Sequence, residues 1–394
     1  MSFKFINHAS IFVNYDGYSL LTDPWYASNA FGNWYQSPPP RTKDILELIK
    51  KQDKMAVMIS HGHDDHLDDW FLKRHMETNL FICPKFPGPG LENRLSKIGT
   101  TKTIGNGLEF GPFKLKQHIN PDFTGYDSII TIEYNDNLII HANDNWHSWP
   151  DTTLSQIKEL TIKYSEEKIF LLVQFGIADC FPVNYPQIST SECLEIISNR
   201  FESYRSGTIN NMSRLNLAHI YYYANQSKFD YHNSEINPIY DEAKIFIKYI
   251  PGAIQLNPGD YVSEGHEVSK SNSDDIDFFN FRMRQLEKYI NSSYKKSANS
   301  DEFIPVKLLT DINCQASEHI NYIASQAVWN RILIGDLTIE SIIIGGAGVV
   351  TKPNRNIRHQ HAFMSKLSYV IQNQIQNRGV FFFNSIPTQE PLSI

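Results

Sequence analysis

The run Ile59-Ser60-His61-Gly62-His63-Asp64-Asp65-His66 constrains this chain more than any other stretch. It follows the apolar segment Met55–Met58 without a break, so a short buried strand ends in His-x-His-x-Asp-His. Five titratable side chains fall within the six residues from His61 to His66. Without partners they would repel one another or need many hydrogen bonds. A divalent cation removes both difficulties, because neutral imidazole and carboxylate suit zinc, iron and manganese. A plain polar loop after a strand would not account for this spacing.

The rest of the composition narrows the setting. The length of 394 residues leaves room for a catalytic domain with an extension. A net charge of −7, from 36 basic and 43 acidic residues, comes with no Lys/Arg block, so no nucleic-acid partner is expected. No stretch approaches the ~20 apolar residues of a membrane helix. The start, Met1-Ser2-Phe3-Lys4-Phe5, lacks the pattern of a signal peptide. Cys83, Cys180, Cys193 and Cys314 are scattered, with no Cys-x-x-Cys pair. Reduced thiols and a cytoplasmic location are therefore expected.

Short β-type runs open the chain, at 2–6, 10–15 and 18–22, the last two joined by the hairpin signal Asp16-Gly17. Helical periodicity follows at 43–51 and 67–76, around the strand that delivers the histidines. Strands at 113–117, 128–134 and 138–141 come next. Helices at 152–164 and 190–204 then flank a buried strand at 168–175, and a last strand covers 217–223. Two successive halves of alternating strands and helices predict an α/β fold, with two sheets packed face to face and helices outside them. The character changes near residue 236, and 278–290, 315–334 and 361–376 read as helices. The expected organisation is a catalytic domain over 1–235 and a helix-rich unit over 236–394 packing on it.

One histidine run offers too few donors for two metals. His118 ends the strand at 113–117, and Asp144 follows the strand at 138–141, as His61 follows its own. Strand ends of stacked sheets converge on one edge, so both are candidate ligands. His8, just past the first strand, and Asp65 are candidates for direct roles in the chemistry. Asn143, Trp146 and His147 flank Asp144 and are candidates to orient ligands. Trp25, Trp34 and Tyr35 line a cleft mouth or anchor a loop.

This order of residues resembles the metallo-β-lactamase fold superfamily: His61, His63, Asp65 and His66, then a lone His118, then a bridging Asp144. Asp23, in Thr22-Asp23-Pro24-Trp25, resembles the early aspartate that braces the metal loop there. The resemblance covers about residues 1–235 and implies an αββα sandwich. Asn7-His8-Ala9-Ser10, Leu21-Thr22-Asp23-Pro24-Trp25 and Gly32-Asn33-Trp34-Tyr35 are similar to the lactamase-like region of CMP-N-acetylneuraminate hydroxylases. More weakly they resemble N-acyl-phosphatidylethanolamine phospholipase D. Leu256-Asn257-Pro258-Gly259-Asp260 and Trp329-Asn330-Arg331 extend the hydroxylase-like match. Two departures stand out. The hydroxylases carry a Rieske iron–sulfur domain, and this chain has no Cys-x-His…Cys-x-x-His set. The superfamily also supplies a late histidine from a strand end, where this chain reads Tyr221-Tyr222-Tyr223-Ala224-Asn225, so His232 is the candidate replacement.

The resemblance implies a first metal held by His61, His63 and His118 and a second by Asp65 and His66, with Asp144 bridging. A carboxylate-weighted second position favours iron over zinc or manganese. Two functions are expected: a diiron oxygenase acting on a small polar metabolite with an external electron donor, or a metal-dependent hydrolase of a phosphodiester, ester or amide. A non-catalytic role is the third.

Overall fold

The computed structural model describes residues 2–27, 29–31, 34–37, 40, 42–119, 128–174, 187–223, 227–229, 244–270, 278–297, 304–333, 337, 339–343 and 348–351, with 364, 367 and 371. Two compact units emerge: Met1–Tyr26 with Gln36–Asp274, and Ala27–Tyr35 with Asp275–Ile394.

The first unit is built on two sheets. β1 (Phe3–Asn7), β2 (Ser10–Tyr15) and β3 (Tyr18–Thr22) form an antiparallel meander. Asp16 and Gly17 turn β2 into β3 with φ of 50° and 73°, as a tight hairpin requires. β4 (Trp34–Gln36) is a short strand outside both of these sheets. β3 is then joined in parallel by β5 (Met55–Met58), β6 (Leu80–Cys83) and β7 (Thr101–Thr103). The crossovers carry α1 (Thr42–Lys50), α2 (Asp69–His75) and α3 (Gly90–Ser96). The second sheet starts as an antiparallel run of β8 (Leu108–Phe110), β9 (Phe113–Ile119), β10 (Ser128–Tyr134) and β11 (Asn137–His141). It continues in parallel through β12 (Ile169–Gln174) and β13 (Ile220–Tyr223), with α4 (Asp151–Thr161) and α5 (Thr190–Leu215) in the connections.

The two inner faces interdigitate. Phe3, Phe5, Leu20 and Met58 of the first sheet share one core with Phe113, Ile132, Phe170 and Tyr221 of the second. The Phe3 ring meets Phe170 and Tyr221 edge-on, each at 5.8 Å. All four residues of β5 are buried, as expected of a parallel strand covered on both faces. The architecture is the αββα sandwich that the sequence anticipates, an α/β fold.

Two boundaries differ from expectation. α5 runs 26 residues, past Tyr204, from a capping box at Ser189 and Glu192 to a left-handed Asn216. Its buried stripe, Phe201 to Met212 and Leu215, continues the helical period beyond the expected end. The first unit continues past residue 236 because β15 (Ala253–Gln255) extends the second sheet and β16 (Tyr261–Val262) pairs with β1. β14 (Ser227–Phe229) lies before them, and β17 (Val268–Ser269) closes the first sheet beyond β16.

The second unit is not purely helical. β18 (Val306–Leu309), β19 (Ile320–Ala324) and β20 (Gly348–Thr351) form a small mixed sheet beside the helices Phe278–Ser297 and Gln326–Leu333. The expected helix over 315–334 is therefore a strand followed by a helix. Every residue of Ile320–Ala324 is buried, and the Ser325 hydroxyl accepts from Val328 N to start the helix afresh. No helix among the described residues is long and apolar enough to cross a membrane.

Phe170→Ala tests the packing between the sheets. Its side chain is fully buried, so truncation should cost about 3–5 kcal/mol in urea unfolding. A loss under about 1 kcal/mol would mean that the interface is not packed as described.

Candidate metal centre

Parallel pairing of β3 with β5 sets Thr22 opposite Met58, so Asp23 and Ser60 leave the sheet side by side. Asp23 is fully buried and left-handed, with φ of 37°. Its Oδ1 accepts from Ser60 N and its Oδ2 from Ser60 Oγ, both at 2.7 Å. Its Oδ2 also lies 3.0 Å from His66 Nδ1. That bond puts the His66 proton on Nδ1 and leaves Nε2 free to face the cluster. One turn, with His66 N and Leu67 N donating to His63 O, brings Asp65 and His66 round to the same side. Arg94 secures the outside of the loop by donating to Gly62 O at 2.8 Å while pairing with Asp69.

The second sheet delivers Asp144 from a 3-10 turn, Asn143–Ser148, directly after β11. Asn143, with φ of 60°, reverses the chain and places its Nδ2 3.0 Å from His61 Nδ1. Asp144 then stands between two groups. Its Oδ2 is 3.5 Å from His61 Nε2 and its Oδ1 3.3 Å from His66 Nε2.

Among the described residues, two sets of side chains have ligand atoms mutually within 4.8 Å: His61, His63 and Asp144, and His8, Asp65 and His66. His61 Nε2 lies 2.8 Å from His63 Nδ1. His8 Nε2 lies 3.3 Å from Asp65 Oδ2. His66 Nε2, Asp65 Oδ1 and Asp144 Oδ1 are buried, and beyond the ion pair between His66 and Asp144 they make no hydrogen bond. Leaving one such polar group unsatisfied costs about 1–3 kcal/mol. Three of them together, among imidazoles and carboxylates, fit a divalent cation.

Charge follows the same logic. Burial pushes His61 down to about 3, with the neighbouring His66 adding to the effect, so His61 is a neutral donor. Burial also works against a charge on His66, but Asp144, Asp65 and Asp23 outweigh it and hold His66 well above its ordinary value. Asp65 and Asp144 stay ionised against burial because His66 lies beside them. The proton on His66 thus balances the carboxylates as a cation would.

His118 does not join either group. Phe113 and Leu115 of β9 face the intersheet core, and strand alternation turns His118 to the opposite face. There its Nδ1 is 3.2 Å from Gln156 Oε1 of α4 and its Nε2 3.3 Å from Thr131 Oγ1. His232 lies outside the described residues. His8 is brought in from the β1–β2 turn, at 0% exposure. Of the candidates for a cleft mouth or loop anchor, Trp25 packs edge-on against His8 at 4.9 Å.

Sequence reasoning passed over His141 and Tyr223. Tyr223 OH lies 3.1 Å from His141 Nδ1, and His141 Nε2 donates to Ala9 O at 3.2 Å, 3.5 Å from Asp23 Oδ2. The strand end expected to carry a late histidine thus presents a tyrosine hydroxyl to a second buried imidazole. The sequence signal was the position of His141, last in β11 and three residues before Asp144.

No family model matches the chain. Two curated proteins of Mycobacterium tuberculosis, from strains CDC 1551 and H37Rv and both named as Rieske 2Fe-2S iron–sulfur proteins, are 30% identical over 95 residues. That segment is 24% of this chain, and the chain spans only 18% of those relatives' length. Among solved structures, an isothiocyanate hydrolase from Delia radicum gut bacteria aligns over 69% of this chain and 100% of its own, at 14% identity and a TM-score of 0.42. A metallo hydrolase from Ignicoccus hospitalis aligns over 69% and 98%, at 15% identity and 0.40. CmlA, a diiron β-hydroxylase from Streptomyces venezuelae, aligns over 65% and 52%, at 13% identity and 0.39.

Two outcomes follow from this geometry. His118→Ala should leave the bound-metal content unchanged by elemental analysis, whereas Asp144→Ala should lower it. The second concerns pH. Because His66 is raised, its charge stabilises the metal-free protein fully below about 6.5, and that contribution is lost as pH rises through the raised value. A bound cation replaces the proton, so metal uptake at pH 7 should release protons and tighten as pH rises. Uptake at pH 7 with no proton release, followed with an indicator dye, would contradict the arrangement.

Proposed function

We propose that this chain is an enzyme that holds two divalent metal ions and oxygenates a small polar metabolite. His61, His63 and Asp144 would hold one ion, Asp65 and His66 the other, with Asp144 facing both. The single observation that carries the reading is the convergence of buried ligand atoms on His66 Nε2, which lies 3.6 Å from Asp65 Oδ2 and 3.3 Å from Asp144 Oδ1. A pair of bound ions supplies Lewis acidity and, in an iron form, reactivity toward dioxygen.

The chain's own residues do the rest. Asp23 fixes the tautomer of His66, and Asn143 holds His61. His63 is exposed while His61, Asp65 and His66 are buried, so a substrate enters from the His63 side. The buried side, closed by Trp25 and the β1–β2 turn, keeps water away from Asp65. Two carboxylates stand among three imidazoles, a mixed oxygen and nitrogen set that suits iron as well as zinc. The name borne by the mycobacterial relatives supports an iron–sulfur protein as the class of external electron donor.

Hydrolysis is the second reading, since a carboxylate between two metal groups also serves enzymes that polarise a scissile bond. The experiment that separates the two loads the protein with Fe(II) or Zn(II), each with and without O₂ and a reductant, and presents a pool of small polar metabolites. Turnover that needs iron, O₂ and electrons together is the expected result. Turnover by the zinc form without oxygen would replace the oxygenase with a hydrolase.

A further inference from the structure

We infer that His8 is a metal ligand, supplying the second ion with the nitrogen donor that the strand end at Tyr223 does not. This rests on the two-ion reading above.

The β1–β2 connection is shaped to bring this one side chain inward. The register of β1 against β2 shifts between Phe5 and Asn7, and a bulge of this kind re-aims the residue that follows it. His8 then adopts φ of 49°, a left-handed conformation that costs a non-glycine residue about 1–3 kcal/mol unless the surroundings enforce it. They do enforce it. His8 N donates to Asn7 Oδ1 at 3.0 Å. Thr22 Oγ1 donates to Ala9 O and accepts from Ile11 N, both at 2.9 Å, which ties the turn to the residue just before Asp23. The turn and the aspartate that orients His66 therefore move as one piece.

The ring is placed as a ligand would be. His8 is fully buried, its Nε2 is 3.3 Å from Asp65 Oδ2, and its centroid is 5.7 Å from that of His66. Its Nδ1 has no hydrogen bond, so packing against Trp25 sets the ring plane. With Asp65 and His66 it forms one of the two ligand sets. The strand-end residue Tyr223, by contrast, is committed to His141. His8 thus gives the second position two nitrogens and the Asp65 carboxylate, with Asp144 shared.

The test is metal binding, not turnover. Wild type, His8→Ala and His8→Cys are titrated with Co(II), and stoichiometry, affinity and absorption are read. Wild type should take up two equivalents. H8A should keep one and bind the other more than about 100-fold weaker, beyond the ~10–100-fold expected for losing a residue that only orients a ligand. H8C, which retains a donor, should recover the second equivalent and show a thiolate-to-cobalt charge-transfer band that only direct ligation produces. Circular dichroism of the metal-free variants checks folding, and H8C decides the matter if H8A does not fold. Two equivalents bound by H8A at wild-type affinity, or by H8C without the band, would overturn the inference. Wild type binding fewer than two would overturn the two-ion reading itself, and the inference with it.

Discussion

A fully buried carboxylate, Asp23, accepts hydrogen bonds from the backbone and hydroxyl of Ser60 and from His66, and the arrangement of the site depends on it. A carboxylate in such a place is costly unless its oxygens are satisfied by strong donors. Here they are, which holds its carboxyl below the ordinary range despite burial, chiefly through His66 and with help from His141 and Ser60. The clamp fixes the exit of β5 relative to that of β3. It also sets the tautomer of His66, and through His66 the side on which Asp65 and Asp144 find a positive partner.

Both sheets converge on this clamp. The first brings Asp23 and the histidine run on neighbouring parallel strands, and the second brings His141 and Asp144 from the end of β11. Three left-handed residues, His8, Asp23 and Asn143, stand at the three chain reversals that surround the cluster. Asparagine and aspartate adopt that conformation readily, and histidine does so more than most residues. Backbone strain concentrated at a cluster of buried donors is what a functional site accumulates, because a packed sandwich can enforce it.

Local order in the chain revealed much of this. The apolar strand ending in His-x-His-x-Asp-His, the Asp-Gly hairpin and the alternation of strands and helices are nearest-neighbour patterns, and they led to the two sheets and to His61, His63, Asp65 and His66. Asp144 was legible because it follows a strand end. His118 has the same sequence signature and goes elsewhere, because the parity of a strand, counted from Phe113 and Leu115, decides which face a residue takes. The strand at Ile320–Ala324 was hidden because a short, wholly apolar run has no period to read, and only its pairing with Val306–Leu309 and Gly348–Thr351 settles it. Tyr223 and His141 lie 82 residues apart, so their pairing is a product of the parallel sheet alone.

The same distances explain why the cluster and the fold are not independent. Asp65 and Asp144 are held within reach of His66 by elements from different sheets, and burial denies Asp65 water. Without a cation, a proton on His66 serves Asp144 Oδ1 and leaves Asp65 Oδ1 without a hydrogen bond. The sandwich therefore carries a local deficit that divalent ions remove more completely than protonation does. Binding them should add to the stability of both sheets, because it links the β5 loop to the turn after β11. In this protein the fold braces the site at Asp23 and Asn143, and metal bound there would in turn tie the two sheets together.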